Sequence, residues 1–122
     1  MPSREHVESF IALVVQGKYV EAIREFYTED ASMQENQEPA RKGMQSLVAG
    51  EEKALAAFKE IRTLAAKSFL IDGDRVAINW LFEIVAHDGR SFRQDEIAWQ
   101  LWHGDKIVEE QFYYDPGQRK LA

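Results

Sequence analysis

The 122-residue chain contains no cysteine, so neither a disulfide framework nor a thiolate zinc site can form, which fits a reducing compartment. No apolar run approaches the ~20 residues of a membrane span. The opening Met1-Pro-Ser-Arg-Glu-His6 also lacks the basic and apolar segments of a signal peptide. These absences predict a soluble, cytoplasmic protein with no membrane partner. Positive charge is scarce too: Lys and Arg total 15 against 21 Asp and Glu, a formal charge of -6. No basic stripe is interleaved with aromatics, which argues against nucleic acid as a partner. The three histidines, His6, His87 and His103, are scattered and predicted to be solvated, so no metal site is expected. A Gly-rich phosphate loop, a nucleophile elbow and a Cys–His pair are all missing. Any catalysis is therefore predicted to be cofactor-free.

What is present suits one globular domain spanning 1–122, since 45% hydrophobic content can bury about two-thirds of the surface exposed by an unfolded chain of this length. Ser3 is a fair N-cap for a helix with Val7, Phe10, Ile11, Val14 and Val15 on one face, ended by Gly17. Tyr19, Val20, Ile23, Phe26 and Tyr27 repeat the helical spacing, and Asp30–Asn36 then turns extended before a polar loop containing Pro39 and Gly43. Met44, Leu47, Val48, Leu55 and Phe58 define a third helix. Gly50 inside it costs ~1 kcal/mol relative to Ala and marks close packing. From Ile61 onward, turns at Asp72-Gly-Asp74, Asp88-Gly89 and Gly104-Asp105 separate four strand-length segments, as in an antiparallel meander.

Loop length sets register. A two-residue loop at Asp88-Gly89 pairs His87 with Arg90 and places Phe82 opposite Asp95 and Trp80 opposite Ile97. A two-residue loop at Gly104-Asp105 pairs His103 with Lys106 and places Trp99 opposite Glu110 and Ile97 opposite Phe112. The shared, core-facing side then holds Trp80, Phe82, Trp99, Phe112 and Tyr114 together with Arg93, Asp95 and Glu110. Charges among aromatics must be paired, neutralised or exposed to a water-filled cavity, and a small-molecule cavity is the economical explanation. The opposite face is mixed, and Leu81, Val85, Phe92, Trp102, Ile107 and Tyr113 are the predicted contact set of a homodimer.

Three segments carry a family resemblance: Glu29-Asp-Ala-Ser-Met-Gln-Glu-Asn36, Lys42-Gly43, and Gly104-Asp-Lys-Ile-Val-Glu-Glu-Gln-Phe-Tyr-Tyr114. With the helix–helix–strand–helix–sheet order, the chain resembles the SnoaL-like branch of the nuclear-transport-factor-like and ketosteroid-isomerase-like superfamily. The resemblance implies an α+β fold, a cone-shaped α+β barrel with three N-terminal helices packed on a strongly curved antiparallel sheet. It also implies that Glu35 matches the general-base carboxylate of the isomerases. Their oxyanion-binding tyrosine and aspartate have no counterpart at Phe10 and at Ile97 or Ala98. Likewise Trp80, Phe82 and Phe112 stand where limonene-type epoxide hydrolases place their polar residues. Steroid-type isomerisation and epoxide hydrolysis are thereby disfavoured.

Three carboxylates are the candidate catalytic residues: Glu35 as base, with Asp95 or Glu110 as acid or orienting group. Glu35 could instead be a solvated strand-end carboxylate, Asp95 an ion-pair partner of Arg93, and Glu110 a structural hydrogen-bond acceptor. Trp80, Phe82, Arg93, Trp99, Phe112 and Tyr114 are the candidate substrate-binding residues, although aromatics at alternating spacing also build ordinary cores. The leading functional reading is an acid/base enzyme of isomerase, cyclase or dehydratase type acting on a small, largely apolar molecule. A non-catalytic module binding a ligand or a protein partner is the alternative.

Overall fold

Ser3 caps the first helix, its Oγ accepting a hydrogen bond from the His6 amide at 3.1 Å. Gly17 ends the helix at φ +80°, a left-handed conformation open to a residue without Cβ. The computed structural model describes residues 1–122. It runs α1 (Arg4–Val15), α2 (Tyr19–Phe26), β1 (Tyr27–Glu35), β2 (Arg41–Lys42), α3 (Met44–Ala57), β3 (Glu60–Asp72), β4 (Arg75–Val85), β5 (Ser91–His103), β6 (Lys106–Tyr113) and a 3-10 turn at Pro116–Gln118. Tyr27 shares the spacing of α2 but is extended, at φ -108° and ψ 150°, and opens β1. The two-residue strand β2 lies in what the sequence presents as a polar loop.

The fold is α+β, with three helices packed on a six-stranded sheet of order β2-β1-β6-β5-β4-β3. The sheet is mixed, which departs from the expected all-antiparallel arrangement: β1 and β6 run parallel, and the other neighbours are antiparallel. The chain leaves β1 through β2 and α3, and β6 returns to the gap beside β1 in the direction fixed by its hairpin with β5. Register shifts interrupt β3–β4 at Thr63/Ala65 and Ala66/Ser68, and β5–β6 at Leu101/Trp102. Such bulges bend the strands around the helices. Val7, Phe10, Ile23 and Phe26 of α1 and α2 bury against Ile78, Trp80, Trp102 and Ile107 of the sheet. No helix is long and apolar enough to cross a membrane.

Register differs from the sequence expectation in both hairpins. In the first, the Ala86 amide donates to the Arg90 carbonyl at 2.8 Å and the Gly89 amide to the Ala86 carbonyl at 3.0 Å. Gly89 sits at φ +90°. The loop is therefore three residues, His87-Asp-Gly89, the length at which a turn is followed by a left-handed glycine. Phe82 lies opposite Gln94 and Trp80 opposite Glu96. In the second hairpin His103 does pair with Lys106, but Trp102 then pairs with Ile107 and Leu101 with Glu109, leaving Val108 as the extra residue of a bulge. Trp99 faces Gln111 and Ile97 faces Tyr113.

Each slip of one residue exchanges the two faces of a strand. The first turns β5 over relative to β4, and the second turns β6 back again. Arg93, Asp95 and Trp99 consequently leave the cone interior for the outer face, while Gln94, Glu96 and Gln100 enter the core. The predicted dimer contact set is corrected by the same slips, because Phe92, Trp102 and Ile107 are buried core residues.

Candidate functional site

A cavity of about 190 Å³ lies between the helices and the concave face of the sheet, and every helix and every strand contributes to its wall. Trp80 and Phe82 of β4 stack at 5.8 Å between ring centroids along one side. Phe10 of α1 meets Trp80 edge-on, and Phe112 of β6 lines the space as well. Into this largely apolar room project four carboxyl groups, Glu35, Glu51, Glu96 and Glu110, and two guanidinium groups, Arg41 and Arg119.

Glu35 is fixed by the end of β1. Asn36 follows it at φ 48°, its amide donates to the Phe112 carbonyl at 2.7 Å, and its Oδ1 accepts from the Tyr114 amide at 3.0 Å. This clamp ties the end of β1 to the end of β6 and lets the Tyr114 hydroxyl donate to Glu35 Oε1 at 3.1 Å. Burial, and next the charge of Glu35, push the Tyr114 hydroxyl above the usual phenol range. Tyr114 therefore remains a neutral donor.

Glu110 and Glu96 are deeper, and each is gripped by a glutamine. Glu110 is 3% exposed. Its Oε1 accepts from the Tyr27 hydroxyl, and its Oε2 accepts from Gln100 Nε2 at 2.6 Å. Gln100 is held in turn by the Trp102 indole N–H, which donates to its Oε1 at 2.9 Å. Burial pushes the Glu110 carboxyl up to about 7, against the lowering effect of the hydrogen bonds from Gln100 and Tyr27. Glu96 is 7% exposed, and its Oε1 accepts from Gln94 Nε2 at 2.7 Å. Burial pushes it up to about 7; the Gln94 hydrogen bond and Arg119 oppose this, and Glu110 and Glu35 add to it.

The two gripped glutamates differ in one respect. Both oxygens of Glu110 accept protein hydrogen bonds. Glu96 Oε2 accepts none, and it is not sealed away, since no fully buried side-chain polar atom lacks a partner. Glu96, Glu35 and Glu51 are thus the carboxyls with an oxygen left for a guest. Glu51 of α3 is raised by burial, with Arg41 opposing and Glu35 adding. Gly50 explains how Arg41 reaches the wall: a Cβ at Gly50 would lie 2.0 Å from Arg41 Nη1. The packing expected of this helical glycine is the passage of a guanidinium. No group of three or more His, Asp or Glu side chains is arranged to hold a metal ion.

Of the residues singled out from the sequence, Glu35, Glu110, Trp80, Phe82 and Phe112 line the cavity, and Tyr114 bonds to Glu35. Asp95, Arg93 and Trp99 do not. Asp95 pairs with Lys67 on the outer face and accepts from Asn79 Nδ2 at 2.7 Å, and these hydrogen bonds hold its carboxyl below the usual range. Arg93 is exposed, 3.9 Å from Glu83, and not beside Asp95. Trp99 is 41% exposed, its ring under the Arg75 guanidinium at 5.4 Å. Sequence reasoning missed Glu96, Gln94, Gln100, Glu51, Arg41, Arg119 and Tyr27. The loop His87-Asp-Gly89 carried the missing signal, because glycine as its third residue favours a three-residue turn and brings Gln94 and Glu96 inward.

Residues 7–110 match the family model of the SnoaL-like domain. No curated protein matches the sequence. Among solved structures, a candidate polyketide cyclase from Pseudomonas putida superposes with a TM-score of 0.82 at 19% identity, covering 100% of this chain and 99% of that one. A hypothetical protein of ketosteroid-isomerase-like fold from Catenulispora acidiphila, in complex with trimethylamine, gives 0.79 at 16% identity over 95% and 89%. TerC co-crystallised with polyporic acid gives 0.78 at 15% identity over 91% and 89%. At these identities the likeness is one of fold.

Proposed function

The chain belongs to the SnoaL-like domain family, and on that premise we propose that its cavity hosts cofactor-free proton transfer on a small, largely apolar carbonyl compound. The reaction is of isomerase, cyclase or dehydratase type. One observation carries this reading: of the three carboxyl groups with a free oxygen in one aromatic-walled cavity, Glu35 and Glu96 project from the sheet, and Glu96 is poised at about 7. A carboxyl that titrates near the working pH can give a proton as readily as it takes one. Glu35 is assigned as the base that removes a proton next to the carbonyl, and Glu96 as the acid that hydrogen-bonds the carbonyl oxygen as negative charge develops. Glu110, with both oxygens occupied, anchors the floor. Trp80, Phe82 and Phe112 exclude water and hold the apolar body of the substrate. The small molecules held by TerC and by the Catenulispora protein support a small-molecule occupant here as well.

The test is deuterium incorporation from D2O into a panel of cyclic ketones and 1,3-diketones, followed by proton NMR. The wild-type protein is expected to exchange at least one of them faster than buffer does, and Glu35→Gln to lose that acceleration by roughly 10²–10⁴-fold. Ligands that bind without exchanging, in wild type and variant alike, would make the cone a binding module.

A homodimer through the outer sheet face belongs to the same reading, with its contact set moved by the register. Ile97, Trp99 and Tyr113 are each about two-fifths exposed, at 39%, 41% and 42%. They lie on adjacent rows of β5 and β6, an apolar patch suited to a self-complementary contact. Light scattering is expected to give a dimer mass, and Trp99→Glu to halve it. A monomeric wild type would remove the dimer.

A further inference from the structure

The two buried glutamates are held by the same three-part arrangement: a group that can only donate, then a glutamine, then the carboxyl. An indole N–H and a guanidinium N–H have no acceptor capacity, so each fixes which end of its glutamine faces it. Trp102 takes Gln100 Oε1 and turns Gln100 Nε2 toward Glu110. Arg119 Nε takes Gln94 Oε1 at 2.8 Å and turns Gln94 Nε2 toward Glu96 Oε1. The arrangements differ in where the outer donor sits. Trp102 is 1% exposed in the core, whereas Arg119 is exposed, on the segment that follows the 3-10 turn.

That segment is laid along β5. Gln118 Oε1 accepts from the Asp95 amide at 2.8 Å and its Nε2 donates to the Asp95 carbonyl at 3.0 Å. Ala122 and Ser91 exchange backbone hydrogen bonds at 3.1 Å. Between these clamps the Arg119 guanidinium rests over Tyr114 at 5.3 Å and over Phe92 at 5.7 Å. The reach of Arg119 into the cavity wall is thus held on both sides.

We propose that Arg119 is a positioning residue that, through Gln94, aims the proton of Glu96 into the cavity. With Gln94 Nε2 donating to Oε1, that oxygen must accept, and a proton on the neutral acid has to sit on Oε2, the oxygen open to a guest. Without Arg119, the Gln94 amide is free to turn over and offer its carbonyl to the Glu96 hydroxyl. The proton would then be engaged by protein and withdrawn from the substrate oxygen. No bond to carbon is made or broken by the relay; it decides only which oxygen of one carboxyl carries the hydrogen. This rests on the assignment of Glu96 as the cavity acid. The other titratable or charged groups facing Glu96 are Glu35 and Tyr27 on β1, Glu110 on β6, and Tyr114 and Arg119 on the C-terminal segment. All of them stay in place in the variants that test the relay, apart from Arg119 itself.

The test is a carbon-detected carboxyl NMR titration of Glu96 in the ligand-free protein, in wild type, Arg119→Leu, Arg119→Lys, Gln94→Leu and the Gln94→Leu/Arg119→Leu double variant. Arg119→Leu is expected to raise the Glu96 midpoint, because an accepting Gln94 carbonyl favours the neutral acid. Lysine, which also only donates, is expected to restore it. In the Gln94→Leu background, Arg119→Leu is expected to add only the smaller rise that loss of its direct charge supplies, since the rest of its effect passes through the amide. An unmoved midpoint in Arg119→Leu overturns the proposal. So does an equal shift with and without Gln94, which would make Arg119 a remote charge only. The exposed position of Arg119 leaves the core intact in its variants. In the deuterium-exchange assay, Arg119→Leu is expected to lower kcat by roughly 10-fold or more with KM little changed. If wild type exchanges no ketone, the proposed reaction fails while the titrations still decide the relay.

Discussion

Lowering the pH from 7.5 to 5 is expected to stabilise this fold. In the unfolded chain a glutamate carboxyl titrates near 4.5, whereas burial raises both Glu96 and Glu110 to about 7 in the folded protein. Between those values the folded state holds protons that the unfolded state has released. Stability must then fall as pH rises. The contribution is fully present below the unfolded value and is lost as pH climbs through about 7. A shift of this size corresponds to roughly 3 kcal/mol for one carboxyl. Glu110 adds to the raising of Glu96, so together they contribute several kcal/mol without simple addition. The lowered carboxyls, Asp88 and Asp95, oppose this only below the usual aspartate range, outside the window. Urea unfolding followed by tryptophan fluorescence at the two pH values measures the effect. Glu110→Gln is expected to flatten the dependence while folding normally. Its amide oxygen can still accept from Gln100, and its amide nitrogen can donate to a Tyr27 hydroxyl that turns to accept. Equal or lower stability at pH 5 in the wild type would mean that neither glutamate is raised.

How much of this arrangement the sequence discloses depends on where its turns leave ambiguity. The helices are legible because caps and apolar spacing act locally: Ser3, Gly17 and the Met44–Leu47–Val48 face need no partner to be recognised. The strands are legible as segments too. Their faces are not, since a single residue in a loop or a bulge decides which alternate set points inward. Every site residue chosen from β4 and β6 lines the cavity, namely Trp80, Phe82, Glu110 and Phe112, and every one chosen from β5 lies outside. The loop His87-Asp-Gly89 displaced β5, and the bulge at Val108 cancelled that displacement for β6. Hydrophobicity could not have corrected the error, because both faces of β5 alternate tryptophans with polar groups: Trp99 with Asp95 outside, Trp102 with Glu96 and Gln100 inside. The inward polar set is tolerated because each member is hydrogen-bonded. Those bonds reach to Tyr27 on β1 and Arg119 beyond β6, pairings that no local pattern announces.

Replacing Glu96 and Glu110 one at a time should separate anchoring from chemistry, since the two carboxyls share burial and protonation and differ in the oxygen left free. Glu96→Gln is expected to lower proton exchange by roughly 10²–10⁴-fold, the usual worth of a positioned acid or base. The amide can occupy the same space, but its NH2 is a far weaker acid than a carboxyl and cannot meet the charge developing on a carbonyl oxygen. Glu110→Gln is expected to cost less than about 10-fold, because its oxygens are turned to Tyr27 and Gln100 and no substrate atom competes for them. The pH profiles should diverge in the same sense. In the wild type the acid form of Glu96 is depleted as pH rises through about 7, and activity should fall on that limb. Glu96→Gln removes the limb, whereas Glu110→Gln keeps it and shifts it: withdrawing the Glu110 charge that raises Glu96 moves the fall to lower pH. Measuring kcat across pH 5–9 for both variants tests this. Equal losses, or a limb that survives Glu96→Gln, would return the acid role to Glu110 and make Glu96 the anchor.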